Sequence, residues 1–404
     1  MLTLQKQVEP SAALEVFNPG YELIEIPAPS LLSFLKSRYK PNFNQSQSRP
    51  NPKKKNLLKR WGVRVFDYLR FKKGIFNACR MPDFSHLGVR PALKAIRKKG
   101  HWDLVVSTAG PYPVHMIAEK LKREGLAGRW IADYRDTWSN NYIYPGLFPF
   151  NIYEKYLEKK LLRSVDAITT VSDPFSASFS ERYGTKCAFT VENGFDPDEL
   201  EDLPKTSFFP EDGKYRIVHM GSIYQGKRDP TPLFQAIQAM AQDPALKPLL
   251  NNLEVVFAGT RQANLEELIA RYGINNWVKS YGCLAWKQSL HAQRDAHALL
   301  FLPWNDLSVD GVLTGKIFEY LFSGTPIMAV GGNGMEASQE LILKAKAGIA
   351  FKDASQIKDF LQAKLQVVTK EKNVLDEKFL NNYSRKNLAM KLLEINAGLK
   401  LRKI

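Results

Sequence analysis

The chain has 404 residues, is 44% hydrophobic and 24% charged, and carries a formal net charge of +16. Its length and composition suit two globular domains with full cores and exclude a disordered or fibrous chain. No apolar run reaches the roughly 18 residues of a membrane-spanning helix, and no apolar leader core follows Met1 to Lys6.

In chain order, the first feature is a basic window. Residues 31–100 hold 19 Lys and Arg against only Asp67 and Asp83, which accounts for the whole positive excess. Within it, Pro41–Lys55 is rich in Asn, Gln, Ser and Pro and reads as a loop. Lys53, Lys54, Lys55, Lys59, Arg60, Lys72 and Lys73 alternate with Leu57, Leu58, Trp61, Val65, Phe66, Tyr68 and Leu69. Bases beside aromatic and aliphatic side chains suit an anionic bilayer surface. Nucleic acid is the second reading, and a solvated basic helix the plain one. The bilayer is preferred, and no nucleic acid partner is expected. Cys79, Cys187 and Cys283 are scattered, and the six histidines show no ligand-type pairing. No metal or cofactor is therefore expected, and a reducing cytoplasm is the expected home.

From about residue 90 onward, apolar runs alternate with helix-period segments. The pattern predicts strands at Leu104–Ser107, Trp130–Asp133, Ala167–Val171, Ala188–Val191, Arg216–Met220, Leu253–Ala258, Val278–Tyr281, Ala298–Leu302 and Ile327–Val330. It predicts helices at Pro91–Lys99, Val114–Arg123, Ile152–Arg163, Pro230–Ala241, Ala263–Arg271, Leu313–Phe322 and Ala354–Gln366. Strands without polar alternation imply parallel sheets covered on both faces, so an α/β doubly wound architecture is expected twice over. Leu200–Lys214 lacks periodicity and is punctuated by Pro and Gly. The expected domains are 1–205 and 206–375, with 376–404 as a C-terminal helix returning toward the first domain.

Five loops carry chemistry. Thr108 to His115 is a strand-to-helix loop with His115 near the helix start. Trp130 to Trp138 places Asp133, Arg135, Asp136 and Trp138 just past a strand. The two carboxylates suit acid/base work or acceptor hydroxyls; a bracing Asp–Arg–Asp network is the alternative. Glu192 to Asp196 precedes the linker. Val218 to Pro230 runs from strand through Gly221, Ser222, Lys227 and Arg228 to a helix, as a phosphate loop or an ordinary turn. It lacks the lysine-containing phosphate loop of NTPases. Finally, Gly311 to Val330 runs through Thr314 and Gly315 into a helix carrying Lys316 and, one turn on, Glu319. Free N–H groups at a helix start and a cation suit a diphosphate, and a carboxylate suits sugar hydroxyls.

Taken in order over about residues 80–340, these segments resemble a bacterial GT-B glycosyltransferase of family 4. The matching stretches are Asp103 to Thr108, Asp133 to Trp138, Asp166 to Ser172, Glu192 to Asp196, His219 to Ser222 and Lys316 to Ile327. The resemblance implies two Rossmann-like domains facing across a cleft. It implies metal-independent transfer, with retention, from a nucleotide-sugar, taken as a UDP-sugar, to a lipid-linked or polysaccharide acceptor. Surface-polysaccharide or lipopolysaccharide synthesis at the inner face of the plasma membrane is the implied setting. Lys316 with Arg228 or Lys227 would neutralise the departing diphosphate. Glu319 would hold the ribose, Thr314 and Gly315 would offer N–H groups, and His115 and Asp136 would lie near the reacting sugar or acceptor. Asp133, Arg135 and Trp138 are placed on the acceptor side. Two departures stand out. Gly311 occupies the position of a frequent family glutamate, and the chain begins about one βα unit into the family pattern. A nucleotide-sugar epimerase, or a silent binding protein on the same scaffold, is the alternative.

Overall fold

A computed structural model of the full chain describes residues 1–4, 20–26, 57–76, 79–184, 187–224, 226–259, 264–306, 309–332 and 336–401. The Lys53-Lys54-Lys55 part of the basic window lies outside them. Lys59 and Arg60 belong to a helix, Leu57–Lys72.

Strands β1 (Leu2–Leu4) and β2 (Ile24–Ile26) pair in parallel as a separate two-stranded sheet. The first domain is then built on β3 (Trp102–Thr108), β4 (Ala127–Tyr134), β5 (Ala167–Thr170) and β6 (Ala188–Thr190), all parallel and adjacent in that order. The second domain carries β7 (Tyr215–Met220), β8 (Leu253–Ala258), β9 (Val278–Gly282), β10 (Ala298–Phe301), β11 (Ile327–Val330) and β12 (Gly348–Phe351). Its order, β12-β11-β10-β7-β8-β9, puts the first strand in the middle and winds the chain outward in both directions. That is the doubly wound arrangement, and its topological switch lies between β7 and β10.

The sequence of the strands explains the layers. Alternate residues point to opposite faces, and both faces here are apolar. Ile217, Val255, Phe257 and Leu300 meet Phe234, Ile237 and Leu361 on one side. Val218, Val256, Leu299 and Ala329 meet Ile317, Phe318 and Leu321 on the other. All nine predicted strands form, with no end shifted by more than three residues. β12 escaped the pattern because it opens on Gly348 and lies half-exposed at the sheet edge.

The chain's end departs from a single helix. Glu377–Asn381 and Arg385–Leu401 are separate helices. Between them Tyr383 O accepts from Phe195 N at 3.1 Å, while Arg385 N donates to Phe195 O at 2.8 Å. The second helix lies against the first sheet, where Leu392, Ile395 and Leu399 pack with Ile131 and Ala167. Further contacts join the domains. The Phe195 and Phe322 rings stack at 3.9 Å, and Ser172 Oγ donates to Gly311 O at 2.7 Å.

Candidate functional site

In an open α/β sheet, ligands settle outside the carboxyl ends of the strands at the topological switch. Here β7 ends in the loop Gly221 to Pro230 and β10 in the loop Leu302 to Thr314, so these two loops bound the crevice. Asn305 N donates to Lys227 O at 2.7 Å and ties them together. Arg228 lies beside two touching aromatic rings, 5.7 Å from the Tyr224 centroid and 5.9 Å from that of Trp304. Its Nε is buried without a hydrogen-bond partner. Lys227 turns aside, its Nζ bonded to Asp306 Oδ2. Ser222 is half-buried beside Gly221.

The second loop delivers the helix Gly315–Ser323. Thr314 at its N-cap makes no side-chain capping bond, so the Gly315 and Lys316 N–H groups are left to a ligand, while Ile317 N donates to Thr314 O at 3.3 Å. Lys316 Nζ bonds Glu319 Oε2 at 2.8 Å and stands 5.3 Å from the Trp286 ring centroid. Gln293 Nε2 also donates to Glu319 Oε2, at 3.2 Å. The lysine side chain is 33% exposed and the glutamate 12%, and of the two Glu319 lines the neighbouring cleft. A cleft of about 420 Å³ opens beside them, with Gly315 and Glu319 on one wall, Arg135 and Asn193 on the opposite wall, and Arg385 from the last helix.

At Gly311 the two domains leave no room for a side chain. Its φ is +86°, and a Cβ there would stand 2.5 Å from Ser172 Oγ, 3.0 Å from Pro174 Cβ and 3.2 Å from Phe175 Cδ1. Any side chain would wedge the two domains apart. Asp310 next to it is exposed, and its Oδ1 accepts from Gly311 N at 2.6 Å.

From the first domain, the loop after β4 reaches across. Asp136 is exposed and accepts from Tyr142 OH at 3.0 Å. The Tyr142 ring meets Trp304 edge-on at 5.3 Å. Burial and the Asp136 carboxylate hold this phenol well above its usual pKa, so it remains a donor.

Of the other expected residues, Asp133, Trp138 and His115 are drawn inward. Asp133 is buried, bonded to Arg135 Nε at 2.9 Å and Thr169 Oγ1 at 2.8 Å. Arg135 Nη1 also donates to Val191 O and Glu192 O, bracing β4 against β6, while Asp136 stays outside this network with Tyr142. Of Asp133 and Arg135, only Arg135 reaches the cleft wall. Trp138 stacks on Tyr112 at 4.4 Å inside the core. His115 is 0% exposed and shares a 2.8 Å hydrogen bond with Ser107 Oγ. The helix start at Pro113 turns its ring toward Trp130 and Tyr134 rather than toward the crevice.

Burial pushes the His115 pKa down to about 3, whereas an unfolded histidine titrates near 6.5. Below that value the unfolded chain binds more protons, so stability falls as pH drops from about 6.5 toward 3. The slope reaches about 1.4 kcal/mol per pH unit for each such histidine. His219 and His297, both held near 4, add in the same direction. Urea titrations between pH 4 and 6.5 should show His115→Gln flattening this acid limb. An unchanged slope would remove His115 as a source.

Sequence reading passed over Tyr142, Trp304, Asp306 and Gln293. The first three lie within six residues of a strand's carboxyl end or of Asp136, and that position was the available signal. Gln293 joins only through the packing of two helices.

No protein-family model and no curated protein sequence matches the chain. Solved structures do. Sucrose-phosphate synthase from Thermosynechococcus elongatus aligns at 16% identity over 79% of each chain, with a TM-score of 0.52. A UDP-forming trehalose-phosphate synthase from Burkholderia vietnamiensis aligns at 13% identity over 84% of this chain and 87% of its own, at 0.54. The N-terminal domain of Candida albicans trehalose-6-phosphate phosphatase aligns at 14% identity over 93% and 90%, at 0.56. These likenesses and the two parallel sheets establish that the chain has the GT-B fold.

Proposed function

We propose that the protein transfers a sugar, with retention, from a UDP-sugar to a lipid-linked or saccharide acceptor in cell-surface polysaccharide or lipopolysaccharide synthesis. One observation carries this reading: Arg228 and Lys316 approach the switch-point crevice from its two bounding loops, beside an uncapped helix start and Glu319. Two cations and free N–H groups suit a diphosphate whose charge grows as it leaves. Arg228, whose buried Nε has no hydrogen-bond partner, takes the leaving-group role. Glu319 accepts from ribose hydroxyls. The sugar carbon exchanges its bond to the diphosphate for one to the acceptor hydroxyl, whose proton passes to the departing diphosphate. Asp136 stands on the acceptor side. The cations are side chains, so the step needs no metal. A panel of nucleotide-sugars in thermal unfolding tests this, since a ligand bound only by the folded state raises its stability. A shift with UDP-sugars above that with other nucleotides is expected. No shift with any of them, and no sugar transfer or hydrolysis, would end the reading.

We also place the protein at an anionic membrane surface. Among the described residues no helix is long and apolar enough to cross a bilayer. The helix Phe150–Leu161 supports surface attachment instead. Glu154 and Glu158 face inward, while Ile152, Tyr153, Lys155, Tyr156, Lys159 and Lys160 face outward, beside Phe148 at 74% exposure. Aromatic tips and basic stems without an acid between them match lipid headgroups. The helix starts on the same side of the sheet as Asp136, so a lipid-linked acceptor would arrive at the cleft. Replacing Phe148, Ile152 and Tyr156 with Ser and Lys155, Lys159 and Lys160 with Gln should release the protein from vesicles rich in phosphatidylglycerol. Salt should weaken the parent's binding, because each surface charge adds about 1 kcal/mol at most and is screened within a Debye length. Equal sedimentation of both proteins would remove this face from the interaction.

A further inference from the structure

His219 lies one residue before the end of β7 and was not among the residues expected to touch a ligand. It is buried, and its two ring nitrogens are treated differently. Nδ1 is 2.9 Å from Leu300 O, so the proton sits on Nδ1 and donates to that carbonyl. Nε2 is then a bare acceptor, buried and without any hydrogen-bond partner. A buried polar atom left this way requires an explanation.

Its direction supplies one. A Cβ built on Gly221 would stand 3.4 Å from Nε2 and 3.8 Å from Cε1, with no other atom within 4 Å. The absence of a side chain at Gly221 therefore leaves Nε2 facing the space under the β7 loop. Packed around the ring are Phe257 from β8, at 5.5 Å between centroids, and the Leu300 carbonyl from β10. The charged groups acting on it are Arg228 from its own loop and Lys316 from the helix Gly315–Ser323. Two cations thus act on a neutral ring whose Nε2 lone pair is unengaged.

We propose that His219 Nε2 is a third positive contact of the phosphate site, becoming protonated only when a diphosphate occupies it. This deepens the donor reading above and rests on it. In the empty site Arg228, Lys316 and burial all oppose a charge on the ring. The pKa is accordingly depressed to about 4, with burial the largest cause. A diphosphate reverses the local field, since its oxygens neutralise both cations and accept from an imidazolium N–H but not from a bare Nε2. Binding then takes a proton from solvent, and affinity rises as pH falls toward the free-state pKa. His219 is a positioning residue here: it holds the diphosphate and does not transfer a proton to the sugar.

UDP-glucose is the probe, because its diphosphate diester does not titrate between pH 5 and 8. Calorimetry at pH 6 and 8, in buffers of different ionisation enthalpy, counts protons taken up per ligand bound. In the parent protein, a substantial fraction of a proton at pH 6 and several-fold tighter binding than at pH 8 are expected. His219→Gln keeps a side-chain N–H near the Nε2 position but cannot titrate, so it should bind with no uptake and a flat pH profile. Parent binding without uptake, or equal uptake in His219→Gln, would overturn the inference while leaving the donor reading intact. Failure of the folded parent to bind any nucleotide-sugar would remove both together.

Discussion

Lys316→Ala should lower kcat/KM for sugar transfer by roughly 30- to 1,000-fold, equivalent to about 2–4 kcal/mol of transition-state stabilisation. The lysine meets its partners in a half-enclosed crevice, 2.8 Å from Glu319 Oε2 and 5.3 Å from the Trp286 ring centroid. There a developing diphosphate charge is less screened than in water. The stability cost should stay under about 1 kcal/mol, because a partly exposed ion pair contributes little to folding. Glu319 also keeps its bond from Gln293 Nε2, so its position survives the truncation. Activity and stability therefore separate in this variant. Glu319→Gln should behave differently, chiefly raising the donor KM, since a ribose hydrogen bond exists in ground and transition states alike. Unchanged kcat/KM in a folded Lys316→Ala protein would take Lys316 out of the site.

The contrast between Lys316 and His115 shows what was legible in the sequence. Lys316 and Glu319 were readable because both sit on one helix, where a spacing of three fixes the shared face. The apolar runs of β7 and β10 were readable because burial on both faces leaves no alternation. Side chains just past a strand were not. Lys227 and Arg228 are neighbours in sequence, yet one bonds Asp306 and the other lies beside Trp304. That division is made by the second loop, which sequence distance conceals. His115 and Trp138 likewise carry functional side chains in functional-looking loops, and tertiary packing puts both in the core. His219 lay inside a recognised motif. Its open Nε2 exists only because the β10 backbone takes the other nitrogen.

Arg80→Leu should destabilise the first domain by about 3–5 kcal/mol, the usual effect of removing one partner of a buried ion pair. Arg80 Nη2 lies 2.7 Å from Glu154 Oε2, and both side chains are almost wholly buried. Burial pushes the arginine pKa down and the glutamate pKa up, each toward its neutral form, so neither ion is comfortable alone. Arg80 Nη1 also donates to Trp138 O at 2.9 Å and Ser139 O at 3.0 Å. Its loss therefore frees an unpaired carboxylate and strips donors from the loop that carries Tyr142 toward Trp304. Arg80→Leu combined with Glu154→Leu should recover most of the loss, because no charge is then stranded. Recovery stays incomplete, since Met81 N loses its 2.5 Å bond to Glu154 Oε1. Hydrogen exchange of the β3, β4 and β5 amides reads the first domain by itself. A loss below about 1 kcal/mol in Arg80→Leu would mean that water reaches this pair, against the burial seen here. The double substitution also isolates the loop's role. If its folded first domain matches the parent while transfer remains slow, the missing function lies in the loop that Arg80 braces through the Trp138 and Ser139 carbonyls and that carries Tyr142 and Asp136.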